Sequence, residues 1–520
     1  MTGGPVIGDG MPLQTTLIFT LPRSERNRSV ETVTRPWAPG SDAAPIDRIP
    51  VELLSIIMIL AVPQFDFASP DWDFLPKLER SMSDILDLTA VSRRWRQVAE
   101  NTPQLWSCLH VRAHESKIEE YFMKTWMSRS RAVPLSVSFD GDTEEPDSEC
   151  FNLLRGNLHR CKHLQLDAPA HMISSLMSGS FPHLETVRLL NRYKEQTLAL
   201  KDLSLSSAAP GIRLVYLQGI SSDFNTKSFN WWCVTELILE ATGLALMPSM
   251  TVIAECTNLH ILRLTFNKLT EEDAKPYFDD NDGPRPRCEK LHTLEVKAPD
   301  SYLDFSVFIW WLFLPALRRL KLYGCFVLYP CLLEMIPRDG CLLEELVIDH
   351  DAPDPFTTEE EHLLTFFKSL PDLRTLEIIG GIPDAFRTDI AKRLTFKPGR
   401  PRNDYLLPKV ESMKIWGLGG WASYWDIQKM LESRSKIGAE APATRLKCAT
   451  ITSRGYSQKH RWDLKADGHI IHDGWHIQYG FLPFVPTCEP RSPGDEDEVV
   501  HSTLAVTPSP PPEIDADLLD

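Results

Sequence analysis

The stretch CTNLHILRLTFN, residues 256–267, decides the fold. In it Leu259, Leu262 and Leu264 follow the frame apolar-x-x-apolar-x-apolar, and Cys256 stands three positions ahead. The last four residues of that frame alternate, as they must in a short strand that buries every second side chain. The same frame recurs upstream at Cys161/Leu164/Leu166, Leu184/Val187/Leu189, Ile212/Val215/Leu217 and Val234/Leu237/Leu239. Downstream it returns at Leu291/Leu294/Val296, Leu317/Leu320/Leu322, Leu343/Leu346/Ile348, Leu373/Leu376/Ile378 and Val410/Met413/Ile415, with a weaker copy at Leu446/Ala449/Ile451. Phe181, Cys288, Leu314 and Leu370 repeat the leading apolar position.

Successive frames start about 22 to 37 residues apart, a spacing similar to that of leucine-rich repeats and stretched beyond it in places. One strand and its return segment cannot bury their own apolar faces, so such units stack into a solenoid with a shared core. Asn-Gly and Asp-Gly turns are scarce between the blocks, which argues against a sandwich of hairpins. The expectation is an α/β solenoid with parallel strands on its concave face and helices or loops on its convex face. Leu105 to Val111 and Pro134 to Phe139 read as strands joining it to what precedes. Between them SKIEEYFMKTWMSRS reads as an amphipathic helix with Ile118, Tyr121, Phe122 and Trp126 on its core side.

Ahead of the repeats, residues 46–106 carry a different pattern. IDRIPVELLSIIMILA places Leu53, Leu54, Ile57, Leu60 and Ala61 at helical spacing, with Pro50 in the first turn and Glu52 near the positive helix end. Pro63 ends that helix, and residues 63–80 read as an irregular insertion. Ile85, Leu86, Leu88 and Val91 then form an apolar face, and Ser92 can cap a helix carrying Trp95, Val98 and Ala99. The ordered set Ile49-Pro50-x-Glu52-Leu53-Leu54-x-x-Ile57, Leu86-x-Leu88, Val91-Ser92-Arg93-x-Trp95-Arg96 and Leu105-Trp106 resembles an F-box, the insertion being its departure from the family pattern. The resemblance implies a small three-helix module that docks on the Skp-type adaptor of a cullin–RING ubiquitin ligase. By the same resemblance, Ile49, Pro50, Leu53, Leu54, Ile57, Leu88, Val91 and Trp95 belong in or just beneath the adaptor interface.

Composition narrows the function classes. The 520 residues carry a formal charge of −16 and an isoelectric point near 5.5, which disfavours a general nucleic-acid binder. From Glu489 onward nine acidic residues face Arg491 alone, so half of the imbalance sits in a proline-rich tail. Residues 486–520, like residues 1–45, are expected to be disordered for want of apolar surface to bury. The opening residues show no secretory leader, and FSVFIWWLFLP, ending at Pro315, falls short of the ~20 residues a membrane span needs. Eleven cysteines without CxxC pairs suggest reduced thiols in the cytoplasm or nucleus.

Two clusters invite a chemical reading. His159, Cys161 and His163 form H-x-C-x-H, but Cys161 holds a repeat-core position. His469, His472, Asp473 and His476 form H-x-x-H-D-x-x-H, which could ligate zinc or iron. Asp473-Gly474 is also a favoured two-residue hairpin turn, which would pair His472 with Trp475 and make a capping hairpin for the open end of the 107–485 solenoid. No phosphate loop, GxSxG elbow or HExxH is present. The expectation is therefore a receptor subunit that is not an enzyme, needs no cofactor or metal, and engages neither membrane nor nucleic acid. Its repeats would offer a target protein the strand-face residues Arg188, Tyr216, Arg263, Glu295, Lys321, Tyr323, Glu377, Lys414 and Trp416. The alternatives are a scaffold with the same modules working outside a ubiquitin ligase, or a metal-dependent enzyme using the His469–His476 region.

Overall fold

The computed structural model describes residues 49–63, 74–112, 117–141, 149–191, 203, 205, 209–219, 229–240, 246–266, 285–298, 305–324, 329–350, 360–380, 389–399, 405–418, 424–438, 443–454, 458–465 and 470–476. The termini expected to be disordered, most of the 63–80 insertion and His469 lie outside these residues.

Three helices come first: α1 (Val51–Ala61), α2 (Phe74–Val91) and α3 (Arg93–Glu100), followed by a 3-10 turn at Pro103–Trp106. Among the described residues, fifteen strands then form one sheet whose spatial order is their sequence order. They are β1 (Cys108–Arg112), β2 (Leu135–Asp140), β3 (Cys161–Asp167), β4 (Thr186–Leu190), β5 (Leu214–Gln218), β6 (Glu236–Glu240), β7 (Ile261–Thr265) and β8 (Thr293–Lys297), continued by β9 (Arg319–Tyr323), β10 (Glu345–His350), β11 (Thr375–Gly380), β12 (Ser412–Leu418), β13 (Cys448–Arg454), β14 (Gln458–Leu464) and β15 (Ile470–His476). Every pair from β1 to β13 is parallel, and β13–β14 and β14–β15 are antiparallel. Interleaved with the strands are α4 (Lys117–Arg129), α5 (Glu149–Asn157), α6 (Ala170–Met177), α7 (Leu246–Glu255), α8 (Phe305–Trp311), α9 (Tyr329–Asp339), α10 (Glu360–Lys368), α11 (Asp389–Leu394) and α12 (Tyr424–Ser435).

A parallel sheet in sequence order, with its return segments packed on the next, is a solenoid-like α/β stack. Each of the eleven frames read from the sequence is a strand, β3 to β13, and every apolar residue of every frame is buried. Those residues share one continuous core with Met172, Ile253, Phe308, Met335, Phe366 and Leu431 of the helices, so the helices cover one face of the sheet. Full burial of such side chains contributes about 1.5–3 kcal/mol each, and the register repeats that gain at every rung. A second ladder runs just before the strands: His260 N–H donates to the Thr235 carbonyl, His292 to His260, Arg318 to His292 and Glu344 to Arg318, at 2.7–3.0 Å. Near the far end, buried Arg434 donates to the carbonyls of Leu394, Leu406 and Leu407 and ties α12 to the preceding return segment.

Four expectations are corrected. Helix α2 starts at Phe74, so part of the expected insertion is helical; Pro76 fits because it lies in the first turn, whose amides need no helical partner. Its buried stripe is Leu78, Ser81, Met82 and Ile85, at i, i+3, i+4 and i+7, whereas Leu86 and Val91 are exposed. In α4 the core face is Met123, Trp126, Met127 and the following Ser130, which rotates Ile118 and Tyr121 outward to 78% and 74% exposure. Finally, Asp473 and Gly474 make no turn: β15 runs straight through them, opposite Arg461 and His460 of β14. Seven paired residues on each strand outweigh one local turn preference, and the antiparallel end of the sheet is built from β13, β14 and β15 instead.

Candidate docking surfaces

Helix α1 is apolar almost all round, yet it buries only one stripe. Leu54 and Met58 of the helix, with Val62 just past its end, lie four residues apart and enter the core, Leu54 with no exposed surface. One position earlier on the wheel, Leu53, Ile56, Ile57 and Leu60 occupy i, i+3, i+4 and i+7 and stand in solvent, Leu53 at 52% and Leu60 at 76% exposure. Val51 is exposed too. Single exposed apolar side chains are ordinary, but a whole row along one helix marks a contact surface. The helix is held from behind by α3 and the Pro103–Trp106 turn, and the Arg94 guanidinium donates to the Ile49 carbonyl. Ser92 caps α3 by accepting from the Trp95 amide at 3.1 Å.

The structure divides the eight residues assigned to an adaptor interface. Pro50, Leu53, Ile57 and Val91 are exposed, Ile49, Leu88 and Trp95 are half-buried against the core, and Leu54 is core. Val51, Ile56, Leu60 and Leu86 extend the exposed set, although the sequence reading did not place them in the interface. The signal for two of them, Ile56 and Leu60, was present: the Leu53–Ile56–Ile57–Leu60 row is one residue out of phase with the core row, and only one of two adjacent rows can face inward.

The helices join the sheet through a packed seam. Met82 of α2 accepts through Sδ from the His110 amide at 3.2 Å, and Glu79 pairs with Arg112. Trp106 and Trp126 meet edge to face at 4.6 Å, and the Arg129 guanidinium lies 4.5 Å over Trp106 while pairing with Glu100 at 2.7 Å. His110 is buried in this seam. Burial, with Arg112 close by, lowers its pKa to about 4, and the nearby Glu79 carboxylate is already engaged by Arg112.

Seven of the nine strand-face residues fall in one column, and Tyr323 lies two residues farther along β9, opposite Lys297 and Asp349. Arg188 lies opposite Tyr216, Arg263 opposite Glu295 and Glu295 opposite Lys321, while Glu377 lies opposite Lys414. Ile238 and Val347 complete that column. Arg188 and Tyr216 are not available to a target as expected, because they are buried at 4% and 1% exposure. The guanidinium lies 5.0 Å over the tyrosine ring, and the tyrosine hydroxyl donates to Glu240 at 2.6 Å. Leu190, Leu214 and Ile238 complete a small apolar cluster around that ring, and burial lowers the Arg188 pKa.

Farther along, opposite charges meet on successive strands. Arg263 reaches Glu236 at 2.8 Å and Glu295 at 3.3 Å, Lys321 reaches Glu345 at 2.8 Å, and Lys414 reaches Glu377 at 2.6 Å. Tyr323 sits among carboxylates, and burial followed by Glu295 and Glu377 pushes its hydroxyl up to about 12. Trp416 remains exposed, with the Lys414 ammonium 5.3 Å from its ring.

Among the described residues the His159–Cys161–His163 string makes no ligand set, and the side chains of the His469–His476 cluster lie outside them. Cys161 is fully buried, its thiol pushed up to about 12 by burial, and His159 is exposed. His472 and His476 lie in β15 opposite Trp462 and Gln458. Among the described residues no three His, Cys, Asp or Glu side chains converge as metal ligands, and no helix is long and apolar enough to cross a membrane. No protein-family model matches the chain, and no curated protein matches it.

Proposed function

We propose that the chain is the substrate-recognition subunit of a Skp–cullin–F-box ubiquitin ligase, in the cytoplasm or nucleus. Helix α1 docks on the Skp-type adaptor, and the strand face of the repeats, concave in this reading, holds the target protein. The observation that carries the proposal is the solvent-facing row Leu53–Ile56–Ile57–Leu60, which coincides with the stretch that resembles an F-box. Covering such a row on association removes apolar surface from water at about 25 cal/mol per Å2. The chain then performs no bond chemistry. It raises the local concentration of target lysines near a ubiquitin-charged carrier enzyme bound elsewhere in the assembly. The packed seam between helices and sheet supports this role, since a fixed joint delivers the target at a fixed distance.

Affinity purification of the full chain from cells tests the proposal. Adaptor and cullin are expected to co-purify with the wild type and to be lost together from a Leu53→Asp/Leu60→Asp variant. Adaptor without cullin would support the scaffold role, and neither protein would exclude both readings.

A further inference from the structure

A groove of about 400 Å3 opens where strands β3, β4 and β5 begin. Lys162, Pro182, His183, Glu185, Gly211 and Arg213 line it. The backbone sets their order: the Glu185 amide donates to the Lys162 carbonyl and the Arg213 amide to the Glu185 carbonyl, both at 2.8 Å. Lysine, glutamate and arginine therefore stand on successive rungs, about 4.8 Å apart. Lys162 and Glu185 form a loose pair at 3.5 Å, both side chains being 42% exposed. In the same row Arg318 is met by Glu344 at 2.5 Å and Lys447 by Glu411 at 2.6 Å. Arg213 has no such carboxylate among the described residues, and it is exposed where it lines the groove.

Two cationic side chains and an imidazole around one carboxylate make a basic groove on a chain of net charge −16. The planar guanidinium matches a carboxylate with two parallel hydrogen bonds. Glu185 beside it offsets one of the two cations, so the groove keeps little net positive charge with which to favour a dianion over a monoanion. We propose that this groove is a subsite for a carboxylate side chain of an acidic peptide, gripped by Arg213 and flanked by Lys162 and His183. None of these residues lies in α1–α3, so the subsite stands whether or not the adaptor reading does.

The test uses the full chain without adaptor and a fluorescein-labelled hexaglutamate peptide, read by anisotropy at low salt. Arg213→Ala is expected to weaken binding about tenfold, the loss of one charge-assisted pair. Gly211→Leu should weaken it comparably by filling the groove. A Cβ there meets only the Leu184 carbonyl at 3.7 Å, so the backbone accepts it, and an unchanged melting temperature checks this. Glu185→Gln should tighten binding several-fold by releasing Lys162 and removing the competing carboxylate, and hexaglutamine should not bind. Wild-type affinity in the Arg213→Ala variant, or tighter binding of a phosphoserine hexapeptide than of hexaglutamate, would overturn the proposal.

Discussion

Along helix α1 four aliphatic side chains in a row are exposed, with no described residue covering them, whereas along β6 to β12 almost every charge on the strand face has an opposite charge on the neighbouring strand. The first surface is incomplete as it stands and gains by being covered. The second is already satisfied, and a partner there must either leave the ion pairs intact or replace each one. High affinity is therefore expected at α1, and selectivity at the sheet, where Trp416 is exposed and, ahead of β5, Arg213 lines a groove. A partner that displaces those ion pairs pays for their desolvation.

The largest difference is expected within α1 itself, between two adjacent leucines. Leu54→Ala should cost about 2–5 kcal/mol, because it empties a fully buried site, and should lower the melting temperature of the whole helical module. Leu53→Ala should change stability by less than about 0.5 kcal/mol. Equal melting shifts for the two would mean that the helix is rotated from the orientation described.

The seam between the two regions should respond to acid. His110 is neutral when folded, with a pKa of about 4, and titrates at its ordinary 6.5 when unfolded. Between these values the unfolded chain binds more protons, so stability is fully present above pH 6.5 and falls as the pH drops toward 4. The loss should be about 2–3 kcal/mol, and His110→Gln should abolish that part of the dependence. Thermal melts of both proteins from pH 7 to 4.5 check this, the expected result being that the wild type loses about 2–3 kcal/mol relative to the variant over that range.

On the sheet the effects should be small. Arg263→Ala removes contacts to Glu236 and Glu295 from a partly exposed site and should cost about 1 kcal/mol or less, most of it gone at high salt. A chemical denaturation series at two salt concentrations measures it. A larger or salt-independent loss would show that the charge ladder holds the sheet together rather than decorating it.

The stack was legible because its signal repeats: each frame states the same alternation, and eleven of them fix strand, register and core face together. Where a segment occurs once, the reading slipped. Helix α4 has apolar residues on more than one side, and composition alone did not say whether Ile118 or Met123 would face inward. Asp473-Gly474 carried a strong local turn signal that lost to pairing with residues 458–464, a partner visible only once the chain is folded. Candidate target residues were found by register alone, which cannot anticipate that Arg188 and Tyr216 pack on each other and withdraw from solvent. The groove at Arg213 was missed because its residues are spread over three repeats and form no motif.

The proposed role of α1 as an adaptor-docking helix is open to one direct experiment. It measures the affinity of the purified full chain for a purified Skp-type adaptor by titration calorimetry, wild type against Leu53→Asp/Leu60→Asp. Expected are binding by the wild type, a loss of at least about 100-fold in the variant, which is about 2.7 kcal/mol, and an unchanged melting temperature. Undiminished binding by a folded variant, or no binding by the wild type, would contradict it.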